Sequence, residues 1–187
     1  MRSILTACVV ALGLAAPTVG AAAELGDDGL HKAVWMQDTF KDLSEDLEEA
    51  NAAGKRLLIL IEQRGCIYCT KMHEGVFPDP EIALSLEQDY FVVQVNMFGD
   101  VELTDFDGES LAEKEVVRKW GLMFTPTMLF LPEEVAEGQS AAQAVVATVP
   151  GAFGKGTTLA MLRWVKEKGY LTEEPFQKYL ARMLAAQ

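Results

Sequence analysis

The sequence predicts an α/β fold with a mixed central β-sheet flanked by helices, contained in a single domain. Two observations lead to this prediction. The chain has 187 residues, 50% of them hydrophobic and 24% charged, which is the length and composition of one globular domain. Short apolar runs also alternate with amphipathic stretches in the order helix, strand, helices, strand, helix, strand, strand, helix. That order is typical of an α/β domain.

The individual elements follow from local signals. Residues 38–53 place Phe40 and other apolar side chains at helical spacing, and Gly54 ends that helix. The next predicted elements are strand 57–61, a short helix to about residue 76, helix 79–87, strand 90–96 and loop 97–108. They are followed by a helix that begins with a capping box at Ser110 and ends near Trp120, strand 127–131, loop 132–139, strand 144–149, helix 158–168 and a last helix 172–185.

The charge balance excludes some classes of partner. Sixteen Lys and Arg residues against twenty-eight Asp and Glu residues give a formal net charge of −12. Such a surface repels phosphate backbones and anionic lipid headgroups. We therefore expect no nucleic-acid binding and no attachment to membrane surfaces.

The N-terminus has the pattern of an export signal. Arg2 precedes an apolar run over residues 4–16, and small residues at 19–23 supply a cleavage site. The run is too short to cross a bilayer core of about 30 Å as a stable anchor. The sequence therefore predicts a signal peptide over residues 1–23, a single domain over residues 24–187, and a periplasmic location without stable membrane insertion.

The cysteines are few, and their positions are informative. The chain has three, and Cys8 lies within the predicted signal peptide, so the mature protein keeps Cys66 and Cys69. A bridge between these two closes a very short loop and would stabilise the fold by roughly 2 kcal/mol. An exported domain of this size does not need that contribution. The pair is therefore predicted to be chemically active.

The Cys66-Ile67-Tyr68-Cys69 sequence follows a predicted buried strand and opens a predicted helix. The free amides and positive dipole at a helix N-terminus favour a thiolate on the first cysteine. Cys66 would then be the nucleophile, and Cys69, one turn into the helix, would resolve the mixed disulfide. We expect the disulfide between these residues to be the redox centre, with no further cofactor.

Metal binding is the main competing interpretation of these residues. His73 follows Cys69 by four residues, so a zinc site would have three candidate ligands here, whereas structural zinc sites have four. His31 lies in the segment before the first helix, and His73 is expected to be partly exposed. The carboxylates of loop 97–108 lack the spacing of a calcium loop and are expected to be solvated or to select a partner. We therefore expect no bound metal.

Three of these features together resemble the thioredoxin superfamily over about residues 38–168. They are the buried strand, the C-x-x-C helix start, and Thr125-Pro126 directly before a strand. The resemblance implies a thioredoxin-like fold with an extra C-terminal helix. It also implies that Pro126 is cis and faces the two sulfurs, and that the backbone at Thr125 pairs with a substrate strand. Ile67 and Tyr68, between the cysteines, would contact the same substrate.

Residues 62–69, 98–108 and 124–127 are similar to the SoxW-type thioredoxins of bacterial sulfur-oxidation operons. This similarity implies a periplasmic thiol–disulfide oxidoreductase that reduces oxidised cysteines of partner proteins. It also implies a membrane electron donor of the CcdA/DsbD type. The alternatives are a disulfide oxidase or isomerase of the same fold, and a copper-binding metallochaperone that uses Cys66, Cys69 and His73.

The sequence departs from the family pattern in two places. Ile67-Tyr68 is neither the Gly-Pro of cytosolic thioredoxins nor the Pro-His of strong oxidants, so the direction of electron flow stays open. Leu60 occupies the position of the buried aspartate that relays a proton in thioredoxins. Glu62 lies on the same strand face by period-2 alternation and is a candidate proton relay. The alternative is that Glu62 ends the strand in solvent.

Overall fold

A computed structural model describes residues 23–185, so the predicted signal peptide lies outside it except for Ala23. The strands are β1 (Glu24–Leu25), β2 (His31–Lys32), β3 (Met36–Gln37), β4 (Arg56–Glu62), β5 (Tyr90–Asn96), β6 (Glu102–Thr104), β7 (Ser110–Ala112), β8 (Thr127–Phe130) and β9 (Ala147–Pro150). The α-helices are α1 (Leu43–Ala52), α2 (Ile67–Gly75), α3 (Pro80–Asp89), α4 (Glu113–Lys119), α5 (Ala141–Ala144), α6 (Lys155–Lys166) and α7 (Phe176–Ala185). Within this range, no helix is long and apolar enough to cross a membrane.

Five strands form the central sheet in the order β3-β5-β4-β8-β9. Strands β3, β5 and β4 are parallel, whereas β8 runs antiparallel to both β4 and β9. Glu62 pairs with Asn96 across the parallel ladder, and Ile61 pairs with Thr127 across the antiparallel one. The C-terminal ends of β4 and β5 therefore lie beside the N-terminal end of β8, at the same end of the central strands.

Each face of the sheet is covered by its own hydrophobic core. Along β4, Leu58 and Leu60 point into one core, which also contains side chains of α2, α3, α6 and α7. Leu57 and Ile59 point into the other core, together with side chains of α1, α4 and α5. This alternation is why β4 reads as an uninterrupted apolar run. The predicted fold, a mixed sheet flanked by helices with an additional C-terminal helix, is confirmed.

The first helix is shorter than predicted. It begins at Leu43, and the Asp42 side chain accepts hydrogen bonds from the backbone N–H groups of Ser44 and Glu45. Lys41 has a φ of 59°, a left-handed conformation that interrupts a right-handed helix. Phe40 is therefore outside the helix and 97% exposed, and its predicted place on the buried face is wrong.

The predicted loop 97–108 contains a strand, and the predicted capping box at Ser110 is absent. β6 and β7 form an antiparallel hairpin in which Thr104 pairs with Ser110. The two hydroxyl groups share a hydrogen bond of 2.7 Å, so the Ser110 side chain is not at a helix start. The helix begins instead at Glu113, after Ala112 as the N-cap residue.

Boundaries also differ toward the C-terminus. The predicted strand 144–149 starts three residues too early, because Ala144 is the last residue of the short helix α5 and the strand begins at Ala147. The helix, which was not predicted, has a capping box formed by Ser140 and Gln143. Helix α6 starts at Lys155, earlier than predicted, and α7 starts at Phe176, later than predicted. The chain between them forms a 3-10 turn over Gly169–Leu171.

Candidate redox site

The two cysteines lie where β4 leads into α2. Gly65, with a φ of 70°, allows the sharp turn between these elements. Cys66 is the N-cap residue of α2, and its sulfur accepts a hydrogen bond of 3.0 Å from the Cys69 backbone N–H. The two residues are joined by a disulfide. Cys66 retains slight exposure whereas Cys69 is fully buried, so Cys66 is the more accessible of the two.

The segment before β8 lies against this disulfide. The Thr125–Pro126 peptide bond is cis, as predicted. The Thr125 hydroxyl donates to the Cys66 sulfur over 3.3 Å, which joins residues 59 positions apart in the chain. The Pro126 carbonyl accepts a hydrogen bond of 2.7 Å from Gly151, and this bond ties the start of β8 to the end of β9. The structure thus brings Thr125 into contact with the Cys66–Cys69 disulfide, with Pro126 as the next residue.

Apolar side chains are exposed around the disulfide. Ile67 and Tyr68 are 65% and 52% exposed, although they open a helix that packs on the core. Met123 and Phe124, directly before Thr125, are also largely exposed. Clusters of exposed apolar residues are typical of protein-binding surfaces. Sequence reasoning singled out Ile67 and Tyr68 but missed Met123 and Phe124, because nothing in the local pattern shows which side of a loop faces solvent.

Glu62 is buried below this surface. It is the last residue of β4 and 0% exposed, so the alternative that it ends the strand in solvent is wrong. Its Oε1 lies 2.9 Å from His73 Nε2, and its Oε2 accepts a hydrogen bond of 2.7 Å from Gln94. His73 is 2% exposed, and its predicted partial exposure is also wrong. The reason is geometric: His73 shares a face of α2 with Cys69, and that face packs against the sheet.

His31, expected in a segment remote from the site, covers the buried pair from outside. It lies on β2, and its ring stacks on the His73 ring with centroids 4.5 Å apart and an angle of 9° between the planes. Burial lowers the pKa of His31, and the neighbouring His73 lowers it further. Trp35 also stacks on His73, and Phe77 packs edge-on. These contacts exclude water from the pair.

Three of these side chains approach the spacing of a metal site. One donor atom each of His31, Glu62 and His73 lies within 4.8 Å of the other two. A ring nitrogen binds a metal along its lone pair, in the plane of the ring, and one ion cannot lie in the planes of two stacked parallel rings. The Lys32 ammonium group, 2.7 Å from Gln94 Oε1, also adds positive charge nearby. Glu62 and His73 therefore form a hydrogen-bonded pair of an acid and a base, and His31 stacks on it.

The acidic segment 97–108 is not uniformly solvated. Asp100, Glu102 and Asp107 are exposed, but Asp105 is buried. Burial alone would lower the pKa of Lys119, but its hydrogen bonds to Asp107, Asp105 and Glu109 outweigh burial and raise that pKa. A lysine thus occupies the centre of the acidic cluster. The expectation of a solvated loop is wrong for Asp105, which anchors the β6–β7 hairpin to the domain.

Comparison with known proteins agrees with this architecture. A family model described as a thioredoxin-like domain matches residues 43–166. A thioredoxin-fold protein from Helicobacter pylori is similar in structure, with a TM-score of 0.59, 14% identity, and coverage of 72% of this chain and 87% of that one. A thioredoxin from Thermus thermophilus has a TM-score of 0.52 and 24% identity, with coverage of 68% and 86%. No curated protein matches the sequence significantly.

Proposed function

The chain belongs to the thioredoxin-like domain family, and on that basis we propose that it reduces disulfide bonds of partner proteins. The observation that carries this proposal is the environment of the Cys66 sulfur. This sulfur lies at the N-terminus of α2 and accepts hydrogen bonds from the Cys69 backbone and the Thr125 hydroxyl. Both donors and the helix dipole stabilise negative charge on sulfur, which is what a leaving or attacking thiolate requires.

The reaction has two exchange steps. In the reduced protein, the Cys66 thiolate attacks a disulfide of the partner, a mixed disulfide forms, and one partner thiolate leaves. Cys69 then loses its proton and attacks the Cys66 sulfur, which releases the second partner thiolate. Two electrons pass from the dithiol to the partner, and the Cys66–Cys69 disulfide is formed. The cysteine pair is itself the redox centre, so the reaction needs no other cofactor.

The surroundings of the disulfide have separate roles in this proposal. The backbone at Thr125 pairs with an extended segment of the partner, and Pro126 packs against the mixed disulfide. Ile67 and Tyr68 contact apolar side chains of the partner. Glu62 is the proton relay for Cys69, because Cys69 is fully buried and cannot pass its proton directly to bulk water.

The proposed setting is the periplasm, reached through the signal peptide over residues 1–23. There the protein would act on a partner of sulfur oxidation and be reduced again by a membrane donor of the CcdA/DsbD type. The support is the sequence similarity of residues 62–69 and 98–108 to SoxW-type thioredoxins. Ile67 and Tyr68 also add no positive charge next to the sulfur. We therefore expect a reduction potential nearer to about −270 mV, as in thioredoxin, than to about −120 mV, as in DsbA.

Cysteine variants of the mature chain test this function. Cys69→Ser should accumulate mixed disulfides with proteins of a periplasmic extract, because the resolving thiol is missing, whereas Cys66→Ser should trap none. The reverse result would overturn the assigned order. Equilibration of the wild-type protein with glutathione buffers, followed by thiol alkylation, gives the potential. A value above about −170 mV would indicate an oxidase or isomerase instead.

A further inference from the structure

The Glu62–His73 pair is an unusual element of a hydrophobic core. Both side chains are about 1% exposed, and both can ionise. Buried polar atoms in folded proteins are nearly always hydrogen-bonded. Here Glu62 Oε1 and Oε2 each have a partner, but His73 Nδ1 is buried and has no hydrogen-bond partner among the described residues. A pair that served only the fold would be better replaced by apolar side chains.

The pair lies next to the resolving thiol. His73 follows Cys69 by four residues in α2, which places their Cβ atoms about 5–6 Å apart on one face of the helix. Glu62 contacts the same histidine from the end of β4. The thiol that must lose a proton is therefore separated from bulk water, one helical turn from His73, and Glu62 is hydrogen-bonded to that histidine.

We propose that Glu62 relays the proton through His73: the two residues act as one acid–base pair, in which His73 Nδ1 takes up the proton and the Glu62 carboxylate balances the charge of the imidazolium. This inference rests on the proposed function. When Cys69 attacks the mixed disulfide, its proton passes to the pair, the Cys66–Cys69 bond forms, and the partner leaves as a thiolate that solvent protonates. In the reverse reaction, the pair returns the proton to Cys69.

The hydrogen bonds explain how the pair accommodates a proton. The His73 Nε2–H group donates to the Glu62 carboxylate, which leaves the Nδ1 lone pair free. A proton added at Nδ1 creates an imidazolium whose charge is balanced by the carboxylate 2.9 Å away. Gln94 holds the second carboxylate oxygen and prevents it from rotating away. The pair can thus gain one proton without leaving an isolated charge in the core.

The other charged and titratable groups around the pair are engaged elsewhere, so His73 is the group that takes up the proton. Lys32 reaches Gln94 Oε1 and is itself paired with Asp28 at the surface. His31 stacks on His73 from β2, and the charge of Glu74 on α2 acts on it. Burial lowers the pKa of His31, which disfavours a charge on this ring. His31 lies outside residues 43–166, the segment that the thioredoxin-like family model matches.

The test separates the two exchange steps by rapid mixing of the reduced protein with an aromatic disulfide, dithiobis(nitrobenzoate), between pH 5 and 9. The first release of coloured thiolate reports attack by Cys66, and the second reports attack by Cys69. His73→Gln keeps a hydrogen-bond donor toward Glu62 but cannot take up a proton. We expect it to slow the second release at least about tenfold and to change its pH profile, with the first release unchanged.

Matched variants make the outcome decisive. Glu62→Gln should give the same defect, and the double variant should be no slower than the slower single variant, because the two residues act as a unit. Glu62→Asp keeps a carboxylate at this position, so the pH profile of its second release should be closer to that of wild type than the profile of Glu62→Gln is. His31→Gln, which changes the stacked histidine but not the hydrogen-bonded one, should stay within about twofold of wild type.

Two results would count against different claims. If His73→Gln and Glu62→Gln keep the wild-type second release and pH profile but melt at lower temperature, the pair is structural and this inference is wrong. If His73→Gln does not fold, Glu62→Gln decides alone. If wild type shows no second release at all, the proposed thiol–disulfide exchange itself fails.

Discussion

Two buried carboxylates in this protein are held in very different ways. Asp105, in the turn between β6 and β7, accepts hydrogen bonds at Oδ1 from the backbone N–H groups of Phe106 and Ala141. Its Oδ2 accepts from the Trp120 indole and pairs with Lys119 at 3.0 Å. Glu62, at the redox site, has one partner on each oxygen. One of them, His73, has a second ring nitrogen, Nδ1, that no residue within 23–185 hydrogen-bonds.

This difference in hydrogen bonding distinguishes the structural role of Asp105 from the proton-relay role that we propose for Glu62. Each carboxylate oxygen of Asp105 has two partners, and the four partners belong to four different residues around the β6–β7 hairpin. A completely satisfied charge holds its neighbours in place and has no reason to exchange a proton. In the Glu62–His73 pair, His73 Nδ1 has no partner in the part of the chain that the structure describes, and this histidine is one helical turn from Cys69. Incomplete satisfaction in a core is expected where function requires it.

Replacement of Asp105 tests its structural role and has the largest expected effect on the free energy of unfolding. Asp105→Ala leaves the buried Trp120 and Ala141 donors without their acceptor, whereas Lys119 keeps Asp107 and Glu109. Two buried donors without acceptors should destabilise the fold by about 3–5 kcal/mol. Urea unfolding followed by circular dichroism measures this loss. The exposed Asp100→Ala should change stability by less than about 0.5 kcal/mol. Equal effects of the two variants would show that Asp105 does not anchor the hairpin.

Asp46 sharpens the comparison because it is a buried carboxylate remote from the thiols. Burial raises its pKa to about 6 from an ordinary value of 3.8, and the Thr39 hydroxyl only partly opposes this. The folded state therefore binds the extra proton, and this stabilising contribution, complete below about pH 4, is lost as the pH rises through 6.

Asp46→Asn should accordingly stabilise the protein at pH 7.5, by up to about 3 kcal/mol at 1.4 kcal/mol for each pKa unit. The gain should vanish near pH 4, where both side chains are uncharged. Chemical unfolding at the two pH values measures the difference, with the exposed Glu48→Gln as control. A gain that is independent of pH would contradict a titrating Asp46.

Trp120→Phe removes a single donor from Asp105 and has the smallest expected effect. The ring remains in the core, and Lys119 still pairs with Oδ2. The loss should be about 1.5 kcal/mol, the lower end for a hydrogen bond to a charged group. The temperature midpoint of unfolding measures it. A loss as large as that of Asp105→Ala would show that the indole, and not the complete set of donors, holds the carboxylate.

Much of this architecture was readable from the sequence because its signals are local. The apolar run of β4, the Asp79–Pro80 start of α3 and the strand over 90–96 depend on neighbouring residues, and the structure agrees with each. The cysteine pair and Thr125–Pro126 were also recognisable, because their spacing belongs to a known fold. Errors arose where two local signals competed, as at Phe40, where the helical pattern extended past the stronger cap at Asp42.

The sequence by itself therefore determined the fold and the place of the Cys66–Cys69 pair at the start of α2. Tertiary structure alone decided which polar side chains are buried and what they contact. Glu62 meets Gln94 across 32 positions of the chain, and Asp105 meets Ala141 across 36. His31 reaches His73 only because the N-terminal hairpin folds back over α2. Such contacts depend on how elements pack, and periodicity within one element carries no information about the neighbour that will satisfy a buried charge.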